Sequence, residues 1–299
     1  MKKNKLIAIV GTNASGKSKL GLELAKHFKA EIVSADSRQV YKYLDLGTGK
    51  VTPKEMGEVK HHLIDILELN ESFSLADFQR LAYKAVDGIS GRGVLPFLVG
   101  GTGLYTRSVV DGYNLLDAPP DDDLRAELAD KTREELIAIL KGMGDNVLPA
   151  ELNDRKLLRR IEKLKHGAAA ERECEPRYEV LQLGLTWEKE ELHKRIEARL
   201  DKRIQEGMVE EVEKIIGMGA TGEFLEKLGL EYRLIYRYLS GRYDSFDAFR
   251  ADLFKEIRRF AKRQMTWFRK EKNITWLNSK GDYLTEAKNA VIKFLANEA

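Results

Sequence analysis

The eight residues Gly11, Thr12, Asn13, Ala14, Ser15, Gly16, Lys17 and Ser18 constrain this chain more than any other segment. They satisfy G-x-x-x-x-G-K-[ST] directly after an apolar run at residues 6–10 and directly before a helical stretch at 18–28. A buried strand, a glycine-rich turn and a helix in that order aim several backbone N–H groups at one point, where an anion is favoured. Lys17 adds a full positive charge, and the Ser18 hydroxyl can ligate a magnesium ion that accompanies a phosphate group. The segment therefore predicts a P-loop, and with it a parallel sheet whose strand ends face a ligand.

The surrounding pattern agrees. Short apolar runs at 31–34 and 94–99 alternate with helical stretches, of which 73–89 carries an N-cap candidate in Ser74 and one apolar face of Phe78, Leu81, Ala82, Ala85 and Val86. The expected class is α/β: a P-loop NTPase-like parallel sheet flanked by helices, with a small all-helical insertion and a helical C-terminal region. The turn cluster DAPPDDD at 117–123 opens the insertion. The predicted organisation is a first part of the core at 1–116, the insertion at 117–170, and the remainder of the core with C-terminal helices at 171–299. A strand is expected at 178–186, one long amphipathic helix at 188–216, a last strand at 273–277 and a closing helix from Tyr283.

Several function classes drop out. With one cysteine, Cys174, neither an intrachain disulfide nor a cysteine-rich metal site can form, and His61-His62 lacks the spacing of a helical zinc motif. No run approaches the roughly 20 apolar residues of a membrane span, and the N-terminal apolar run is too short for a signal peptide. A reducing, cytoplasmic setting, a monomer and no membrane partner are expected. The formal net charge is only +3, but residues 251–272 hold eight Lys or Arg against three acids. That excess suits either a phosphate-facing surface or a solvated helix face.

The chemistry is narrowed by an absence and a presence. The strand at 94–99 ends in Gly100-Gly101-Thr102-Gly103, with no Asp to position magnesium as a motor ATPase or GTPase would need. An acid instead follows the second strand, Asp36 in Asp36-Ser37-Arg38-Gln39. Strand C-termini converge in such sheets, so Asp36 should stand near the cradle, where a carboxylate can take a proton from an acceptor. The residues alone fit a P-loop kinase of nucleosides or small metabolites as well.

Seven segments in order carry a resemblance: GTNASGKS, DSRQVYK, GTGK at 47–50, HHLID at 61–65, FSLADF at 73–78, VGGTGLY at 99–105 and AKRQMTWFR at 261–269. Together they resemble the tRNA dimethylallyltransferases over nearly the whole chain. The resemblance implies that the P-loop holds the diphosphate of dimethylallyl diphosphate. It implies transfer of the prenyl group to the exocyclic amine of the adenosine 3′ of the anticodon, in tRNAs reading codons that start with U. It implies Asp36 as general base, Thr102 beside the reacting adenine and diphosphate, and Ser37, Arg38 and Gln39 against the target base and its neighbours. Lys17 would neutralise the leaving diphosphate directly, and Ser18 through Mg2+. Arg195 and Arg199 match a paired-Arg motif, one of them reaching the diphosphate. Arg125, Lys156 and Arg159 resemble tRNA contacts of the insertion, which would grip the anticodon stem-loop. Trp267 and Phe268 are expected in the core rather than as stacking platforms.

The chain departs from the family pattern at Thr12 and Asn13 in the cradle, in a short insertion with a shortened NDRKLLRR run, and at KLGLEYR (227–233), where a Gly-Tyr-Lys-Glu signature is usual. None of these touches Lys17, Ser18, Asp36 or Thr102. The departures leave a silent RNA-binding paralogue as a further reading, against which the intact cradle and Asp36 argue.

Overall fold

The computed structural model describes residues 3–115, 121–145, 153–165 and 174–296. They divide into two units, residues 1–112 with 176–299, and residues 113–175. The first part of the larger unit runs β1 (Lys5–Gly11), α1 (Lys17–Phe28), β2 (Glu31–Ser34), α2 (Pro53–Glu58), β3 (His61–His62), α3 (Leu75–Ser90), β4 (Pro96–Gly100) and α4 (Gly103–Val110). The smaller unit holds α5 (Asp122–Glu127), α6 (Arg133–Gly142) and α7 (Asp154–Lys165). The chain then returns as β5 (Glu179–Thr186), α8 (Lys189–Gln205), α9 (Met208–Gly217), α10 (Gly222–Leu228), α11 (Leu230–Leu239), α12 (Phe246–Phe268), β6 (Ile274–Asn278) and α13 (Tyr283–Ala296).

The described strands form one parallel sheet in the order β3-β2-β4-β1-β5-β6. β1 is central, pairing Val10 with Gly100 of β4 on one side and with Gly184 of β5 on the other. Leu6 to Val10 are fully buried because helices cover both faces, which is why this strand reads as a continuous apolar run. One face packs Leu20, Leu24, Ile32 and Phe97 with Val291 of α13; the other packs Phe78, Ala82, Val86 and Ile89 of α3. The capping box expected at Ser74 forms, its hydroxyl accepting the Asp77 N–H at 3.1 Å while Asp77 accepts the Ser74 N–H.

In the smaller unit α5, α6 and α7 bury Leu124, Leu128, Leu136, Leu140, Leu157 and Ile161 together. The proline pair of the DAPPDDD turn lies outside the described residues.

One expectation fails. The amphipathic stretch at 188–216 is not one helix but two, α8 and α9, broken at Gly207 with φ 98°. Left-handed backbone is open to glycine at no steric cost, and here it turns the chain. Ile196 and Leu200 before the break and Met208, Val212 and Ile215 after it face one common core, so the apolar spacing continues across the bend. A β-carbon at Gly207 would approach nothing nearer than 3.7 Å, so a substitution there is felt by the backbone alone. Gly207→Ala should destabilise by about 1 kcal/mol and Gly207→Val by more, with Gly207→Asn the mildest; denaturant midpoints at unchanged m-value provide the measurement.

Candidate active site

The phosphate cradle follows from β1. The chain leaves the strand at Gly11, turns through Ala14 (φ 60°) and Gly16 (φ 95°), and enters α1 at Lys17. The first N–H groups of α1 have no partner within the helix and point at the mouth of the loop. The loop is braced from behind. Arg195 Nε donates to the Ala14 carbonyl at 2.9 Å, its guanidinium lies 4.0 Å from the Trp187 ring centroid, and Trp187 Nε1 donates to the Ser15 carbonyl at 2.7 Å. It is braced from the front through Asn13. The Asn13 N–H donates to Gln264 Oε1 at 2.7 Å, and Asn13 Oδ1 accepts from Arg199 Nη1 at 2.8 Å. Gln264 in turn donates through Nε2 to the Gly101 carbonyl at 2.8 Å, tying the cradle to the turn after β4.

The facing wall comes from the ends of β2 and β4, adjacent strands in register, with Ser34 opposite Val99. Asp36 Oδ1 accepts the Arg38 N–H at 2.9 Å, which orients the carboxyl. Thr102 Oγ1 accepts the Ser37 N–H at 3.3 Å, and Gln39 Oε1 accepts the Ser34 hydroxyl at 3.1 Å. The third side is the loop at 45–49. There the Glu211 carboxylate takes the N–H groups of Asp45, Leu46 and Gly47 at 2.7–3.0 Å and the Tyr232 hydroxyl at 2.7 Å. A single carboxylate from α9 thus fixes a loop some 165 residues earlier in the chain.

These walls enclose a cleft of about 450 Å³. Of the residues singled out in the sequence, Asn13, Lys17, Ser18, Asp36, Ser37, Arg38, Gln39, Thr102 and Arg199 line it. Thr12, Ala14 and Ser15 are buried beneath the loop surface. Of the paired arginines, Arg199 lines the cleft, whereas Arg195 is spent on the back of the cradle. In the smaller unit, Arg125 Nε and Arg159 Nη1 both donate to the buried Glu162 carboxylate, at 2.6 and 2.8 Å, and Lys156 is exposed in the first turn of α7.

The sequence reading of α12 needs correcting at one residue. Phe268 is buried as expected, but Trp267 is 38% exposed, lines the cleft and packs against Gly103. The buried stripe of α12 runs Phe249, Leu253, Ile257, Ala261, Gln264, Phe268, so Trp267 falls one position off it. Sequence reasoning also passes over Gln264, Arg203, Glu211 and Glu231. Gln264 sits inside the AKRQMTWFR segment, and Arg203 continues the four-residue spacing of Arg195 and Arg199.

The electrostatics suit a polyanion. Burial and the neighbouring Arg199 charge lower the Lys17 ammonium to about 8, with Asp36 acting the other way. Burial and Arg203 likewise disfavour the charge on Arg199, although a guanidinium keeps its proton throughout the working range. Cations held together without an anion between them repel, and a bound diphosphate would relieve that repulsion. Among the described residues no group of three or more His, Cys, Asp or Glu could hold a metal ion by itself. Ser18 is exposed at the cleft, and a hydroxyl of this kind fits magnesium, which takes few protein ligands and completes its shell with phosphate oxygens and water.

Fold and cleft together define a class: a P-loop α/β enzyme in which a cationic cradle faces a carboxylate across one cavity. Comparison with known proteins narrows it. The family model for IPP transferase matches residues 39–271. A protein of Carboxydothermus hydrogenoformans named tRNA dimethylallyltransferase is 39% identical, with 96% of each chain covered. The crystal structure of the full-length tRNA isopentenylpyrophosphate transferase of Bacillus halodurans superposes with a TM-score of 0.75 at 37% identity, over 98% of this chain and 97% of that one. A eukaryotic dimethylallyltransferase acting on tRNA shares the fold, with a TM-score of 0.82 at 22% identity over 99% of this chain and 80% of that one. This chain belongs to the IPP transferase family.

Because the free protein holds Lys17 near 8, anion binding must draw a proton to it at higher pH. The affinity for an alkyl diphosphate, whose own charge is constant there, should be full below about pH 8 and fall above it by up to tenfold per pH unit. Calorimetry in buffers of different ionisation enthalpy should show the matching proton uptake, and Lys17→Met should abolish both effects.

Proposed function

We propose that this protein transfers a dimethylallyl group from dimethylallyl diphosphate to N6 of the adenosine 3′-adjacent to the anticodon, in tRNAs that read codons starting with U. The observation that carries the reading is the opposition of Lys17 and Arg199 to Asp36 and Thr102 across one cleft, in a P-loop fold whose β4 ends in glycine rather than an acid. A phosphoryl-transfer enzyme of the motor or GTPase type would place an acid at that strand end. Here the carboxylate stands where an acceptor would enter.

The reaction balances on this chain's own groups. The bond between the allylic carbon and the diphosphate oxygen breaks, and the departing electron pair stays on the diphosphate, held by Lys17, Arg199 and the cradle N–H groups. The adenine N6 forms the new bond to that carbon. One of its protons passes to the Asp36 carboxylate, which the Arg38 N–H keeps oriented. Thr102, fixed by the Ser37 N–H, lies at the same wall and can hold the base or the diphosphate in register. Magnesium, held through Ser18 and phosphate oxygens, would supply further charge to the leaving group.

An adenosine in an anticodon loop must leave its stack to enter such a cleft. The exposed faces of Trp267 and Phe260, with Arg263 between them on α12 and Arg38 opposite, offer surfaces for the extruded base and its neighbours. The smaller unit, with Arg125, Lys156 and Arg159, is the proposed grip on the anticodon stem; Glu162 orders the two arginines there, and both remain partly exposed. Among the described residues no helix is long and apolar enough to cross a membrane. The protein is read as a cytoplasmic monomer.

Nucleoside mass analysis of tRNA incubated with the protein, magnesium and dimethylallyl diphosphate should show one five-carbon prenyl addition on adenosine; a phosphorylated product from ATP instead would refute the reading. Asp36→Asn should lower turnover by roughly 100-fold or more while tRNA affinity stays within about twofold. Neutralising the exposed Lys262 and Arg263 together should weaken tRNA binding and reduce the logarithmic salt slope by about 1 to 2.

A further inference from the structure

Arg203 has no place in the scheme above, yet it lines the same cleft as Lys17 and Arg199. It lies one further step of four residues along α8, on the face that already carries Arg195 and Arg199. The residue is only 8% exposed. Among the described residues its enclosed Nη2 finds no hydrogen-bond acceptor, and the side chain forms no ion pair. A cationic donor that is buried and left without an acceptor is costly, and folded proteins seldom keep one without a use.

The surroundings show what kind of use. Gly49 (φ 59°) supplies the room: a β-carbon there would overlap the ends of both Arg203 and Arg199, so the two guanidinium groups meet beside a bare α-carbon. Where they meet, the charge on Arg203 disfavours that on Arg199. The acids that face Arg203 do not resolve the repulsion. Glu211 is occupied by three backbone N–H groups and the Tyr232 hydroxyl. Asp36 acts from the far wall, and Glu231, at the start of α11, attracts Arg203 most strongly but from beyond ion-pair distance. Burial raises the Glu231 carboxyl above its ordinary range, with Arg203 and Arg199 opposing the shift. What remains is a space bounded by three cations and open to the cleft.

We propose that Arg203 is a third cationic contact for the diphosphate of the prenyl donor, beyond Lys17 and Arg199, and that Glu231 is the counter-charge that Arg203 faces when no diphosphate is bound. The inference rests on the donor reading given above. Its chemistry is that of a guanidinium offering a forked pair of N–H donors to phosphate oxygens in a site shielded from water. The resident acid keeps the empty pocket from accumulating uncompensated charge. Binding then exchanges a distant carboxylate for a close phosphate.

The test is titration calorimetry with inorganic diphosphate and magnesium on the full chain. Glu231→Gln should bind diphosphate at least as tightly as the parent protein, because it removes only the competing negative charge. Arg203→Met combined with Glu231→Gln, which leaves no orphaned carboxylate, should lose roughly 10-fold to 100-fold in affinity. Arg203→Lys on the same background keeps the charge without the fork and should fall between the two, and it carries the comparison should the methionine variant not fold. tRNA affinity should be unchanged in all three. If the lysine and methionine variants bind diphosphate as tightly as Glu231→Gln alone, Arg203 is a structural partner of Glu231 and the proposal is wrong. If the parent protein itself fails to bind diphosphate, the donor reading falls first.

Discussion

The amide of Gln264 is the joint on which the cleft depends. It accepts the Asn13 N–H through one atom and donates to the Gly101 carbonyl through the other, so one planar group joins the cradle, the turn after β4 and the helix α12. An amide offers a donor and an acceptor side by side whatever the pH, and both are needed because the two loops present opposite polarity. A carboxylate would leave the Gly101 carbonyl facing an acceptor, and an apolar side chain would leave both backbone groups unpaired inside the protein. Of the cradle's remaining braces, Arg195 from behind and Arg199 through Asn13 come from α8, and Trp187 stands just before it. An anion site made of backbone N–H groups is therefore held open by side chains from the opposite end of the chain, before any ligand arrives.

That preorganisation bears on the charge distribution. Lys17, Arg199 and Arg203 share one cavity, and the cradle itself holds the first two, through the Thr12 carbonyl at 3.3 Å and Asn13 Oδ1 at 2.8 Å. Asn13, which departs from the usual family pattern, joins two of those neighbours, since its side chain accepts from Arg199 while its backbone donates to Gln264. The KLGLEYR departure also falls on the site rather than away from it. Glu231 and Tyr232 both line the cleft, and Tyr232 shares Glu211 with the loop at 45–47. Sequence differences that look peripheral to the chemistry thus alter the charges that line the cleft.

Much of this architecture can be read from the chain because its signals are local. A strand–glycine–helix motif, an apolar run, and Ser74 three residues before Asp77 each act within a few residues. Asp36 is legible for the same reason: adjacent parallel strands must end together. What escapes is non-local or hinges on one backbone angle. Gly207 lies inside an unbroken apolar period, and only its left-handed conformation separates α8 from α9. Trp267 reads as core by analogy with its neighbour, although one position along a helix turns the side chain by about 100°. Glu211 and Gln264 carry no pattern of their own; the backbone groups they hold lie more than 160 residues distant.

The strand order has a consequence for how this enzyme is made. β1 precedes both of its partners in the chain: it is flanked by β4 and by β5, and the latter does not begin until residue 179. Gln264 and the arginines of α8 follow later still. A ribosome-bound chain therefore carries the P-loop sequence before the side chains that brace the cradle have been made. A chain that stops short of α12 lacks Gln264, and with it the amide that joins the cradle to the turn after β4.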